Sequence, residues 1–137
     1  MAEDKQKKLV LVVDDEEDVI AYLTALLADN GFATDAARDG KEAMDKIKQN
    51  RPALVSLDMS MPEKSGVKVF REIKESEELK GIPVLVVTGV TGYGDKPEEF
   101  EKFLSTRKNL PPPDGFIAKP LDQEKFIAKV RELIEKK

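Results

Sequence analysis

The stretch LVLVVDDEE, residues 9–17, sets five apolar residues directly against four carboxylates. It is far too short to cross a bilayer, and its unbroken Val and Leu content is that of a strand buried on both faces of a parallel sheet. Short apolar runs recur at 33–37, 53–57, 84–87 and 116–118. The segments between them carry helical periodicity. Val19, Ile20, Leu23, Leu26 and Leu27 form one apolar stripe, with Gly31 placed to end the helix, and Phe126, Ile127, Val130, Leu133 and Ile134 form another after Asp122, a predicted N-cap.

Strand and helix alternating along the chain predict an α/β fold, with right-handed crossovers joining a five-stranded parallel sheet covered by helices on both faces. The flavodoxin-like doubly wound order, 2-1-3-4-5, is the expected arrangement. A length of 137 residues fits one domain, expected to span 1–137 with its core over about residues 8–136.

Composition narrows the chemistry. The chain has no Cys and no His, so thiolate or imidazole metal sites, disulfides and His general bases are excluded. A net charge of −4 with interleaved signs offers no basic stripe for nucleic acid, so direct DNA binding is not expected. No apolar run suits membrane insertion or a secretory signal, and the expected location is cytoplasmic.

In an open α/β sheet, ligands bind beyond the carboxyl ends of the strands. The residues following the apolar runs are Asp14 and Asp15, Asp58, Thr88 and Lys119, all directed to one rim. Clustered carboxylates repel, by about 4 kcal/mol for two charges ~4 Å apart at an effective dielectric near 20, so the site calls for a cation. Oxygen ligands alone select Mg²⁺. Such an ion, with the Lys119 ammonium and the Thr88 hydroxyl, would suit a phosphoryl group transferring to a carboxylate. Taken singly, each residue also has a plainer role. Asp14 and Asp15 would cap the first helix with help from Glu17 or Asp18, Asp58 would serve a turn, Thr88 would end a strand, and Lys119 would be solvated.

The motifs together resemble those of a response-regulator receiver domain of the two-component type. The acidic pair stands as Val13-Asp14-Asp15-Glu16 and the acceptor motif as Leu57-Asp58-Met59-Ser60-Met61-Pro62 followed by Ser65-Gly66. The switch hydroxyl stands as Val87-Thr88-Gly89 and the basic residue as Ala118-Lys119-Pro120. The resemblance implies that Asp58 takes a phosphoryl group from a phosphohistidine. It implies that Asp15, Asp58 and the backbone carbonyl of Ser60 ligate Mg²⁺ directly, with Asp14 acting through water. Lys119 and Thr88 would hold the phosphoryl oxygens, Thr88 and Phe116 would form the switch, and the Lys119-Pro120 bond would be cis. Phe116 also reads as an ordinary core aromatic.

The chain departs from the family in an enlarged segment, 89–113, with glycines at Gly89, Gly92 and Gly94, an amphipathic run through Phe100, Phe103 and Leu104, and prolines Pro111 to Pro113. The glycines lack the pattern of a phosphate loop and are read as a loop. This segment is the expected output surface, with a passive insertion as the alternative. By the resemblance, the expected function is that of a stand-alone response regulator, not an enzyme beyond self-phosphorylation and self-hydrolysis. Its partners would be a sensor histidine kinase or phosphotransfer protein and a downstream protein target. Competing readings are an aspartyl-phosphate phosphatase, whose D-x-D arrangement after the first strand is missing here, and a scaffold that is never phosphorylated. A flavin carrier on the same fold is a weaker rival, because no Ser/Thr-rich phosphate loop follows the first strand.

Overall fold

The computed structural model describes residues 7–58, 65–88, 114–118 and 122–135. In chain order these form β1 (Leu9–Val13), α1 (Glu17–Asp29), β2 (Ala33–Ala37), α2 (Gly40–Gln49), β3 (Leu54–Asp58), α3 (Ser65–Glu75), β4 (Val84–Thr88), β5 (Gly115–Ala118) and α4 (Gln123–Glu135). The five strands pair in the order β2-β1-β3-β4-β5, all parallel, as the alternation predicts. The enlarged segment 89–113 and the Lys119-Pro120 bond lie outside the described residues.

Alternate side chains of the strands feed two separate cores. Leu11, Val13, Val55, Leu57, Val84 and Val86 pack under α2 and α3 with Ala43, Met44, Ile47, Val69, Phe70 and Ile73. Val10, Val12, Leu54, Leu85 and Val87 pack under α1 and α4 with Ile20, Leu23, Leu27, Phe126, Ile127, Val130 and Leu133. This is why the central strands read as continuous apolar runs, since both faces of each residue pair are removed from water.

Helix ends are written locally. Helix α1 closes with a Schellman motif in which Gly31 N–H bonds the Ala28 carbonyl (3.1 Å) and Phe32 N–H bonds the Leu27 carbonyl (3.1 Å). Gly31 has a φ of 92°, the left-handed backbone that a side chain would strain. Asp39 caps α2 by accepting from Glu42 N–H at 2.8 Å, and Asp122, the predicted N-cap, caps α4 by accepting from Lys125 N–H at 3.0 Å. Helix α1 is different. Its N-cap is Glu16 with no side-chain cap bond, so the plainer reading of Asp14 and Asp15 as caps is corrected. The Asp14 carboxylate instead accepts from the Glu16 N–H (2.9 Å) and turns the chain from strand to helix.

Strand ends correct a second expectation. Asp58 and Thr88 are the last residues of β3 and β4 and not the first residues beyond them. Backbone pairing continues past the apolar run, with Asp58 opposite Val87 and Thr88 opposite Ala118, and the ladder is blind to side-chain polarity.

Among the described residues the outer strand β2 has only β1 as a neighbour. Its Asp35 pairs with Lys46 of α2 at 3.2 Å, and Glu42 approaches the same ammonium at 3.3 Å. Partial burial pulls Lys46 down, but the Asp35 and Glu42 carboxylates together more than offset it and hold the ammonium above its ordinary value.

Candidate functional site

The site is built where β1 and β3 end side by side. Val13 pairs with Leu57 and with Ala37, and the Asp14 N–H extends the ladder to the Ala37 carbonyl at 3.0 Å. Asp14 is therefore fixed by backbone on one side and by its own turn to Glu16 on the other. It is 2% exposed, and Asp58 on the neighbouring strand is 3% exposed. Asp15, one residue further, faces solvent.

These residues meet as the strand register requires. One carboxylate oxygen from each of Asp14, Asp15 and Asp58 lies within 4.8 Å of the others, an arrangement that could hold a metal ion. At that separation the buried Asp14 and Asp58 charges repel by roughly 3 kcal/mol at an effective dielectric of ~20. Oxygen donors of this charge suit a hard divalent cation.

The remaining predicted residues divide into two groups. Thr88 closes β4 beside Ala118, and Phe116 stands opposite Val86, so both backbones lie on adjacent strands at the same edge of the sheet. The side chains of Thr88 and Phe116, and all of Ser60 and Lys119, lie outside what is described.

Sequence reading missed one feature of the rim. Arg38 follows β2 directly, and its guanidinium grips Glu17 at the start of α1, with Nη2 to Oε1 at 3.0 Å and Nε to Oε2. The Arg38 hydrogen bond holds the Glu17 carboxyl below its ordinary range, and Glu17 holds Arg38 above its own. Its signal in the sequence was slight, a single Arg before the Asp39-Gly40 turn. A groove of about 500 Å³ between α2 and α3, lined by Lys41, Met44, Lys68, Val69 and Glu72 among others, takes none of the clustered aspartates.

Comparison with known proteins agrees with this geometry. Residues 10–131 match the family described as the response regulator receiver domain. The polar-differentiation response regulator DivK of Brucella anthropi is 30% identical over 127 residues, covering 93% of this chain and 96% of that protein. The alkaline phosphatase synthesis transcriptional regulatory protein PhoP of Bacillus subtilis is 30% identical over 129 residues, covering 94% of this chain but 49% of that protein. Among solved structures, the signal receiver domain of a signal transduction histidine kinase from Syntrophus aciditrophicus superposes with a TM-score of 0.79 at 27% identity, over 94% of this chain and 91% of that one.

Proposed function

The chain belongs to the response regulator receiver domain family, and we propose that it acts as a phosphorylation switch whose acceptor is Asp58. The observation that carries this reading is the convergence of Asp14, Asp15 and Asp58 within 4.8 Å at the ends of the two central strands. A carboxylate oxygen of Asp58 attacks the phosphorus of a phosphohistidine on a sensor kinase or phosphotransfer protein. The P–N bond breaks, the imidazole leaves, and an acyl phosphate forms. With no His in its sequence, the chain does not supply the donor.

Asp15, Asp58 and the Ser60 carbonyl would hold Mg²⁺ directly, with Asp14 acting through water. When bound, the ion offsets the negative charge gathered on acceptor and phosphoryl oxygens. Lys119 and Thr88 are the proposed contacts to those oxygens, and Thr88 with Phe116 the proposed switch. Their backbones lie on neighbouring strands, which supports coupling of the acceptor to the outer edge of the sheet. The output is binding to a downstream protein, with the 89–113 segment the proposed surface. Among the described residues no helix is long and apolar enough to cross a membrane, and the proposed setting is the cytoplasm.

The test is labelling with acetyl phosphate in the presence of Mg²⁺, followed by intact mass. The wild-type chain should gain one phosphoryl group, and chelation of Mg²⁺ or Asp58→Asn should prevent it. Labelling of Asp58→Asn at the wild-type rate would place the acceptor elsewhere. Repeated turnover of a generic phosphate ester would favour a phosphatase instead.

A further inference from the structure

At the opposite end of the sheet, the amino ends of β4 and β5 hold a buried lysine side chain that is no part of the acidic cluster. Lys74, in the last turn of α3, has a side chain 6% exposed. Its Nζ donates to Asp114 Oδ2 at 2.8 Å, to the Ile82 carbonyl at 3.1 Å and to the Lys80 carbonyl at 3.3 Å. The same Asp114 oxygen accepts the Val84 N–H at 2.8 Å, while the Asp114 N–H donates to the Val84 carbonyl at 3.1 Å. Asp114 thus takes both backbone groups of the first residue of β4 and is itself tied to α3.

This clamp sits where β5 enters the sheet, and among the described residues β5 is a short outer strand with only β4 beside it. Such a strand can slide by two residues without turning its side chains to the other face. Gly115 opposes the slide in one direction. A Cβ at its place would lie 2.9 Å from Leu133 Cδ1 and 3.0 Å from Leu85 Cδ1, so Ile117 could take its place only if those side-chain ends moved aside. The opposite slide would draw Asp114, whose side chain is 38% exposed, away from the Val84 N–H and from the buried Lys74 side chain, and both would lose a hydrogen-bond partner.

We propose that Lys74 and Asp114 are positioning residues for phosphoryl transfer, setting the height at which β5 delivers Ala118, and Lys119 next in the chain, to the rim that holds Asp58. A slide of two residues would move that end of the strand by about 7 Å. The proposal rests on the reading of Asp58 as acceptor. Lys74 and Asp114 touch neither phosphoryl group nor metal; they act through the register of β5.

The experiment compares Lys74→Met, Asp114→Ala and Asp114→Asn with the wild-type chain. Each is labelled by acetyl phosphate at saturating Mg²⁺, well below its own unfolding temperature, and Mg²⁺ affinity is measured separately by calorimetry. Lys74→Met and Asp114→Ala should label about tenfold or more slowly. Their Mg²⁺ affinity should stay within about twofold of wild type, because the clustered aspartates stand at the carboxyl ends of β1 and β3. Asp114→Asn keeps an oxygen for Val84 and Lys74 and should recover most of the rate. Equal labelling of all four chains would overturn the positioning role while leaving the acceptor assignment intact. A loss of rate matched by an equal loss of Mg²⁺ affinity would also overturn it, by marking a general disturbance. A wild-type chain that takes no label overturns both readings. Should Lys74→Met fail to fold, the two Asp114 variants carry the same comparison.

Discussion

The two ends of this sheet treat buried charge in opposite ways. At the carboxyl end, Asp14 and Asp58 bring like charges together at 2% and 3% exposure. At the amino end, Lys74 is matched to the Asp114 carboxylate and to backbone carbonyls, and the Asp114 oxygen also serves Val84. The difference separates chemistry from architecture. A charge matched to an opposite charge and to backbone groups holds elements in place, whereas carboxylates gathered at one point offer oxygen ligands to an arriving cation.

The largest effect belongs to the carboxyl end of the sheet. Asp58→Asn should reduce acetyl phosphate labelling below detection in intact-mass measurements while the chain stays folded by circular dichroism. A fall in labelling that merely tracked unfolding would make Asp58 an architectural residue like Lys74. The next effect belongs to the other end. Lys74→Met should cost about 1–2 kcal/mol in urea unfolding, since it leaves the Ile82 carbonyl without its donor while the part-exposed Asp114 carboxylate turns to water. A loss under about 0.5 kcal/mol would show that water replaces the ammonium there.

A smaller effect sharpens the contrast. At a concentration ten times its dissociation constant, Mg²⁺ should stabilise the wild-type chain by about 1.4 kcal/mol, seen as a rise of a few degrees in Tm. Asp15→Asn should lose most of that rise, and Lys74→Met should keep it. The smallest effect lies at the rim. Glu17 is held below its ordinary value near 4.5 by Arg38, so its contribution to stability is present above that value and fades as the pH falls through its lower folded value. Arg38→Ala removes that contribution at every pH. The gap between the two chains, read from Tm across the acid range, should be small at neutral pH and close below about pH 4.5.

The fold was legible because each central strand had to bury both faces, and residues such as Val10, Leu11, Val12 and Val13 admit no other use in so short a run. The acidic cluster was legible for a related reason, since Asp14 and Asp58 stand directly behind buried residues that pair in register. Strand ends were less so: hydrophobicity stops at Leu57 and Val87, but backbone hydrogen bonding does not. The clamp was invisible. Lys74 and Asp114 are 40 positions apart, and a Lys near a helix end reads as solvated until the tertiary structure closes over it. Arg38 and Glu17, 21 positions apart, were hidden in the same way.

Strand β2 has a further consequence, for behaviour in concentrated solution. An outer strand leaves a row of backbone donors and acceptors open to another chain, and growth of fibrils begins at such rows. Here the row carries Asp35, engaged with Lys46 across the helix above it. A second molecule adding a strand alongside would have to take that ion pair partly out of water, or break it. Asp35→Val would leave the sheet order untouched and remove this guard, converting ATDAA into a segment with stronger β preference and no charge.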